Sequence, residues 1–140
     1  MNLPAALVAA AVGIATLACG PTDQTREMRM MGERRNYRLS VEPMPPSALE
    51  PARFRVVVRD KETGQPVQGG EGRIFATSVD GAGTDDGLAA GEEVGTYYAR
   101  LFFVTAGDWA MALQFRGDST ERLERVDWMQ TVLGEREVGQ

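Results

Sequence analysis

The 140-residue chain contains no histidine. With it go the usual general base near neutral pH, the Ser-His-Asp and Cys-His nucleophile arrangements, and the commonest ligand of zinc and copper(II). Cysteine occurs once, as Cys19, so there is no second thiol for an internal disulfide. A surplus of positive charge is also missing: with a net charge of -5 and a pI near 4.8, the overall field offers no attraction to nucleic acid or to an anionic lipid surface. The glycine-rich stretch from Asp80 to Gly87 lacks the lysine of a phosphate loop and the spacing of a calcium loop, so Asp80, Asp85 and Asp86 read as loop residues and not as ligands. Ordinary apolar and charged content then leaves one folded domain with a flanking segment.

What is present begins at the N-terminus. Residues 1–18 carry no charged side chain, and Leu3 to Leu17 is nearly all apolar. The run falls short of the about 20 apolar residues that a spanning helix needs, so 1–18 reads as a secretory signal. Its end, Thr16-Leu17-Ala18-Cys19-Gly20, resembles the lipobox of bacterial lipoproteins, in which the cysteine is lipidated and becomes the new N-terminus. Thr16 stands where leucine is usual and no positive n-region precedes the run; the alternative is an ordinary cleaved signal. A lipidated Cys19 followed by Gly20 implies a membrane anchor in the cell envelope, at the outer membrane facing the periplasm.

Residues 19–36 show no apolar periodicity and read as a flexible tether. Arg26, Arg29, Arg34, Arg35 and Arg38 are diluted there by Asp23, Glu27 and Glu33, which favours a solvated segment over a phosphate-binding arm. Met28, Met30 and Met31, with Met44 further on, offer soft thioethers suited to copper(I).

From residue 37 the chain alternates. Tyr37, Leu39 and Val41 share one strand face, as do Phe54, Val56 and Val58 in a second strand. Weaker strands are expected at 71–79 and 88–93. Gly95 to Phe115 holds the clearest pattern, two alternating runs either side of Ala106-Gly107-Asp108, and predicts a hairpin. Residues 121–133 suit either period; a closing strand is preferred because a sandwich must cover its edge. The tail, 134–140, is polar.

About seven short strands joined by Gly and Pro turns predict an all-β, immunoglobulin-like antiparallel sandwich over 37–133. The residues Asp60-Lys61-Glu62-Thr63-Gly64-Gln65-Pro66-Val67, Gly95-Thr96-Tyr97-Tyr98-Ala99 and Ala106-Gly107-Asp108-Trp109 together resemble the YtkA-like domain, one of the FixH- and CopC-like periplasmic β-sandwiches. The resemblance spans roughly 37–115. It implies an exported, nonenzymatic domain, linked in some relatives to copper handling. Those relatives carry Met and His before the Gly-x-Tyr strand and often Met ahead of the Ala-Gly-x-Trp turn; this chain has neither in 80–93, and Thr105 in the latter place.

Three functions follow as expectations. The first is a lipid-anchored binding module with an envelope protein partner and no cofactor. The second is a copper(I) binder using Met28, Met30, Met31 and Met44. The third is an enzyme built on a carboxylate pair, Asp85 with Asp86 or Glu92 with Glu93.

Overall fold

Residues 26–135, which a computed structural model of the chain describes, form nine strands, the longer ones built on period-two alternation. Residues 1–25, which include Cys19 and the stretch expected to be a signal, and residues 136–140 lie outside the described residues. The strands are β1 (Met28–Met31), β2 (Arg35–Glu42), β3 (Pro51–Asp60), β4 (Glu71–Ser78), β5 (Gly83–Gly87), β6 (Ala89–Ala90), β7 (Thr96–Phe102), β8 (Gly107–Arg116) and β9 (Glu124–Val132). They form two antiparallel sheets, β1-β2-β3-β7-β6 and β5-β4-β8-β9. The expected all-β sandwich is therefore present, and 124–132 is a strand.

The inner faces are the ones the alternation marked. Tyr37, Leu39 and Val41 meet Phe54, Val56, Val58, Tyr97 and Leu101 on one side and Ile74, Trp109, Leu113 and Phe115 on the other, all buried. Phe115 stands edge-on to both Tyr97 and Tyr37, with centroids 5.5 and 5.9 Å away. The buried hydroxyl of Tyr97 donates to Val67 O at 2.6 Å and accepts from Gly70 N–H at 2.9 Å, so the ring enters the core without an orphaned polar group.

Three expectations are corrected. The runs either side of Ala106-Gly107-Asp108 do not form a hairpin: β7 pairs with β3 and β6, whereas β8 pairs with β4 and β9 in the other sheet. A half-buried strand has the same period whether its neighbour in sequence lies beside it or across the core, so alternation alone does not separate the two. The tether, 19–36, does not extend to residue 36, because Met28 to Met31 pair with Asn36 to Leu39. The stretch Asp80–Gly87 is not all loop, because Gly83–Gly87 pairs with Arg73–Thr77 as β5.

Side chains close both flanks of the sandwich. On one, Asp86 Oδ2 of β5 accepts the Arg100 N–H of β7 at 2.8 Å, so a carboxylate in one sheet caps the edge of the other. On the other, Glu124 accepts from the Arg34 N–H at 2.9 Å and from the Tyr37 hydroxyl. Beside it Glu121 pairs with Arg35, whose Nη1 lies 2.8 Å from Oε2.

Candidate functional site

Arginine is the commonest residue among those that alternate outward from the five-stranded sheet. Register places Arg29 beside Arg38, Asn36 beside Arg59, Ser40 beside Arg55 and Tyr98, and Glu42 beside Arg53 and Arg100. Six arginines from four strands therefore share one face of a chain whose net charge is -5. The Arg53 guanidinium lies 4.1 Å over the Tyr98 ring, which holds it flat against the sheet. Among the described residues the carboxylates at this face are Glu42, in the row of Arg53 and Arg100, Glu27 at 3.6 Å from Arg38 and Glu93 at 3.4 Å from Arg55. Exposed contacts of that length leave the arginines available to a ligand.

At one end of the face Arg29, Arg38, Arg59 and Lys61 rim an open groove of about 490 Å³ with buried Val57 at its floor and exposed Met31 beside it. Asp60 also lines it. Its carboxyl is occupied by the backbone N–H groups of Thr63 and Glu62, which hold it below the usual carboxylate range. The groove thus combines forked cationic donors with an apolar floor, a chemistry suited to a carboxylate-bearing surface.

The chain's sequence has no matching protein-family model and no match among curated proteins. A solved structure of a DUF4426 family protein from Pseudomonas aeruginosa PAO1 is similar, at a TM-score of 0.60 and 12% identity. The likeness covers 79% of this chain and 97% of that one, and it speaks for the fold alone.

The methionines of 28–31 fall on two faces of β1, although Met30 and Met31 both line the first groove. Met28 and Met30 stand beside Leu39 and Tyr37 on the inward face of β1, with Met30 packed against the core, while Met31 lies on the opposite face and is 79% exposed. Met28 does line a second open groove, of about 680 Å³, together with Met44 from the β2–β3 connection and Met129 of β9. No sequence signal joins these three, since they come from separate stretches brought together by the packing of two sheet edges.

Of the two carboxylate pairs, Asp85 and Asp86 separate, whereas Glu92 and Glu93 line one open groove. Asp85 pairs with Arg73 on the outer face of its sheet while Asp86 turns to Arg100. Glu93 faces Arg55 from an exposed loop. The arginine cluster read from 26–38 is divided in the same way, because Arg35 follows the inward face of β2 and is buried, with Arg29 and Arg38 outside. The alternation of Phe54, Val56 and Val58 turns Arg55 and Arg59 outward, but only the strand order aligns them with the arginines of three other strands.

Proposed function

We propose that the chain is an exported, nonenzymatic binding module of the cell envelope, a YtkA-like, immunoglobulin-like sandwich lipidated at Cys19 and held at the outer membrane facing the periplasm. It binds an acidic envelope protein through the outward face of the five-stranded sheet. The observation that carries this reading is the alignment of six arginines on that face in an otherwise acidic chain. Arginine and tyrosine side by side are the residue types that dominate interface energetics.

The test is fluorescence anisotropy with a labelled aspartate-rich peptide as probe. Arg29→Glu with Arg59→Glu is expected to weaken binding by about tenfold or more, and raising salt to about 0.5 M is expected to do the same to the unaltered chain. Equal affinity of the two chains dismisses the surface. Acyl labelling of the chain and of Cys19→Ser tests the anchor independently.

A second reading, copper(I) handling, is favoured by the groove shared by Met28, Met44 and Met129. Thioethers are soft ligands that select copper(I) over harder ions. Anaerobic copper(I) titration is expected to show tighter binding by the chain than by Met28→Leu/Met44→Leu/Met129→Leu, with Met31→Leu unchanged. Indistinguishable titrations of the unaltered and triple-substituted chains reject it.

A further inference from the structure

We infer that the end of the sandwich at which the chain enters rests on the lipid bilayer, with the turn tips at Leu49, Val79 and Val104 seated in its interface. The inference rests on the Cys19 anchor proposed above, and it concerns which end of the domain the anchor presents to the membrane.

Strand direction defines that end. Met28 lies opposite Leu39 in an antiparallel pair, so residues before Met28 run toward the Glu42 end of β2. The 43–50 connection leaves from there, and Leu49 N–H donates to Phe103 O at 2.8 Å while Ser47 bridges Leu133. Trp109 lies opposite Ser78, and Gly107 opposite Val132, which brings the 79–82 turn and the 103–106 connection to the same end.

Exposed apolar residues gather where these turns meet. Of the ten large hydrophobic side chains exposed among the described residues, Met44, Leu49, Val79, Phe102, Val104 and Leu133 lie at this end, Val79 at 92% exposure. Single exposed hydrophobics are ordinary, but six of ten at one end of a domain mark a contact surface. Leu49 adds an independent sign. Among the described residues it is the non-glycine residue with positive φ, 62°, a conformation that strains a leucine, and its side chain is still 48% exposed.

The occupant follows from the length of chain between anchor and domain. Seven positions separate Cys19 from Arg26, a span of at most about 25 Å, whereas the ten-residue β3 is about 33 Å long. A lipid held at Cys19 therefore brings this end to the bilayer before any other. Pro51 pairs with Phe102 at the rim and Arg53 pairs with Arg100 two residues further in. That places Arg53 and Arg100, with Glu42 completing their row, about 7 Å behind the apolar rim, within the depth to which interfacial apolar groups sink, and level with lipid phosphates. Asp80 and Asp108 also lie at this end, Asp108 accepting from the Thr131 hydroxyl at 2.9 Å, so the contact is apolar with phosphate behind it and needs no anionic lipid.

The experiment uses the full chain, processed in a bacterial host and reconstituted into phosphatidylethanolamine–phosphatidylglycerol vesicles, with an environment-sensitive fluorophore at Leu49→Cys or Val104→Cys. Controls carry it at Val94→Cys or Leu123→Cys, exposed positions in the loops of the opposite end. Quenching by nitroxide-labelled lipid is expected to be about threefold or more stronger at 49 and 104 than at 94 and 123. Equal quenching at the two ends, or none at either, overturns the inference. Acyl labelling of the same preparation separates this from the anchor: absence of label counts against Cys19 lipidation, and the four probes, each moved to a Cys19→Ser chain so that one thiol carries the fluorophore, then decide the contact alone when scanned against excess vesicles.

Discussion

Phe103 and Trp109 meet edge to face with ring centroids 5.1 Å apart and an interplanar angle of 72°, although their neighbouring strands β7 and β8 lie in opposite sheets. Both rings are wholly buried, and the Trp109 indole N–H donates to Thr105 O at 3.0 Å inside the connection that joins them. The residues that read as the two arms of a hairpin are therefore the clasp between two layers.

Replacing Trp109 or Phe103 with Ala is expected to cost about 3–5 kcal/mol, because each leaves a cavity between the sheets. Phe102→Ala, one residue along on the outer face and 44% exposed, is expected to cost about 0.5 kcal/mol or less. Urea unfolding of the three variants checks this, and comparable losses at 102 and 103 would contradict the layer assignment.

Gly95 is buried at φ 81°, and a Cβ there would lie 2.6 Å from Pro66 Cβ and 3.0 Å from Val58 O. Gly95→Ala combines backbone strain with a clash against backbone, so a loss exceeding about 1 kcal/mol is expected. Gly64→Ala shares the positive φ but meets open space, and thermal denaturation should show the smaller loss for it.

Asp86→Ala removes the acceptor for the Arg100 N–H at the edge of β7 and is expected to cost about 1 kcal/mol. Hydrogen exchange at Arg100 should accelerate with it. Asp85→Ala breaks only the exposed pair with Arg73 and should leave that amide unchanged; equal acceleration in both variants would refute the capping role.

The Arg35 guanidinium, by its hydrogen bond, and then the Gly117 N–H hold the Glu121 carboxyl below the usual carboxylate range. A depressed folded pKa stabilises the protein above the unfolded value of about 4.3 and loses that contribution as pH falls through the folded value. Glu121→Gln is therefore expected to lower the melting temperature clearly at pH 7 and by much less at pH 3. A melting-temperature gap that does not change with pH would argue against this linkage.

The fold was legible wherever one strand face is apolar. Tyr37 to Val41, Phe54 to Val58, Tyr97 to Phe103 and Trp109 to Phe115 all bury the face that alternation marks. Where side chains are small or polar it was not: β5 is Gly-Thr-Asp-Asp-Gly and pairs through its backbone, and β1 shows only four residues of weak alternation. The candidate site was legible residue by residue but not as a surface. Arg55 and Arg59 read as outward, while their meeting with Arg29, Arg38, Arg53 and Arg100 depends on the order β1-β2-β3-β7, for which alternation carries no signal.

The sequence by itself determined that this is a chain of half-buried strands, which face of each one meets the core, and which catalytic arrangements are absent, because period and residue type are local properties. Only the tertiary structure decided that the stretch from Gly95 to Phe115 spans two sheets, that Asp85 and Asp86 part company, and that arginines from four strands and methionines from three segments converge. Those outcomes depend on strand order and on how two sheet edges pack. Both are settled by long-range backbone pairing and burial, and neither leaves a mark within a window of neighbouring residues.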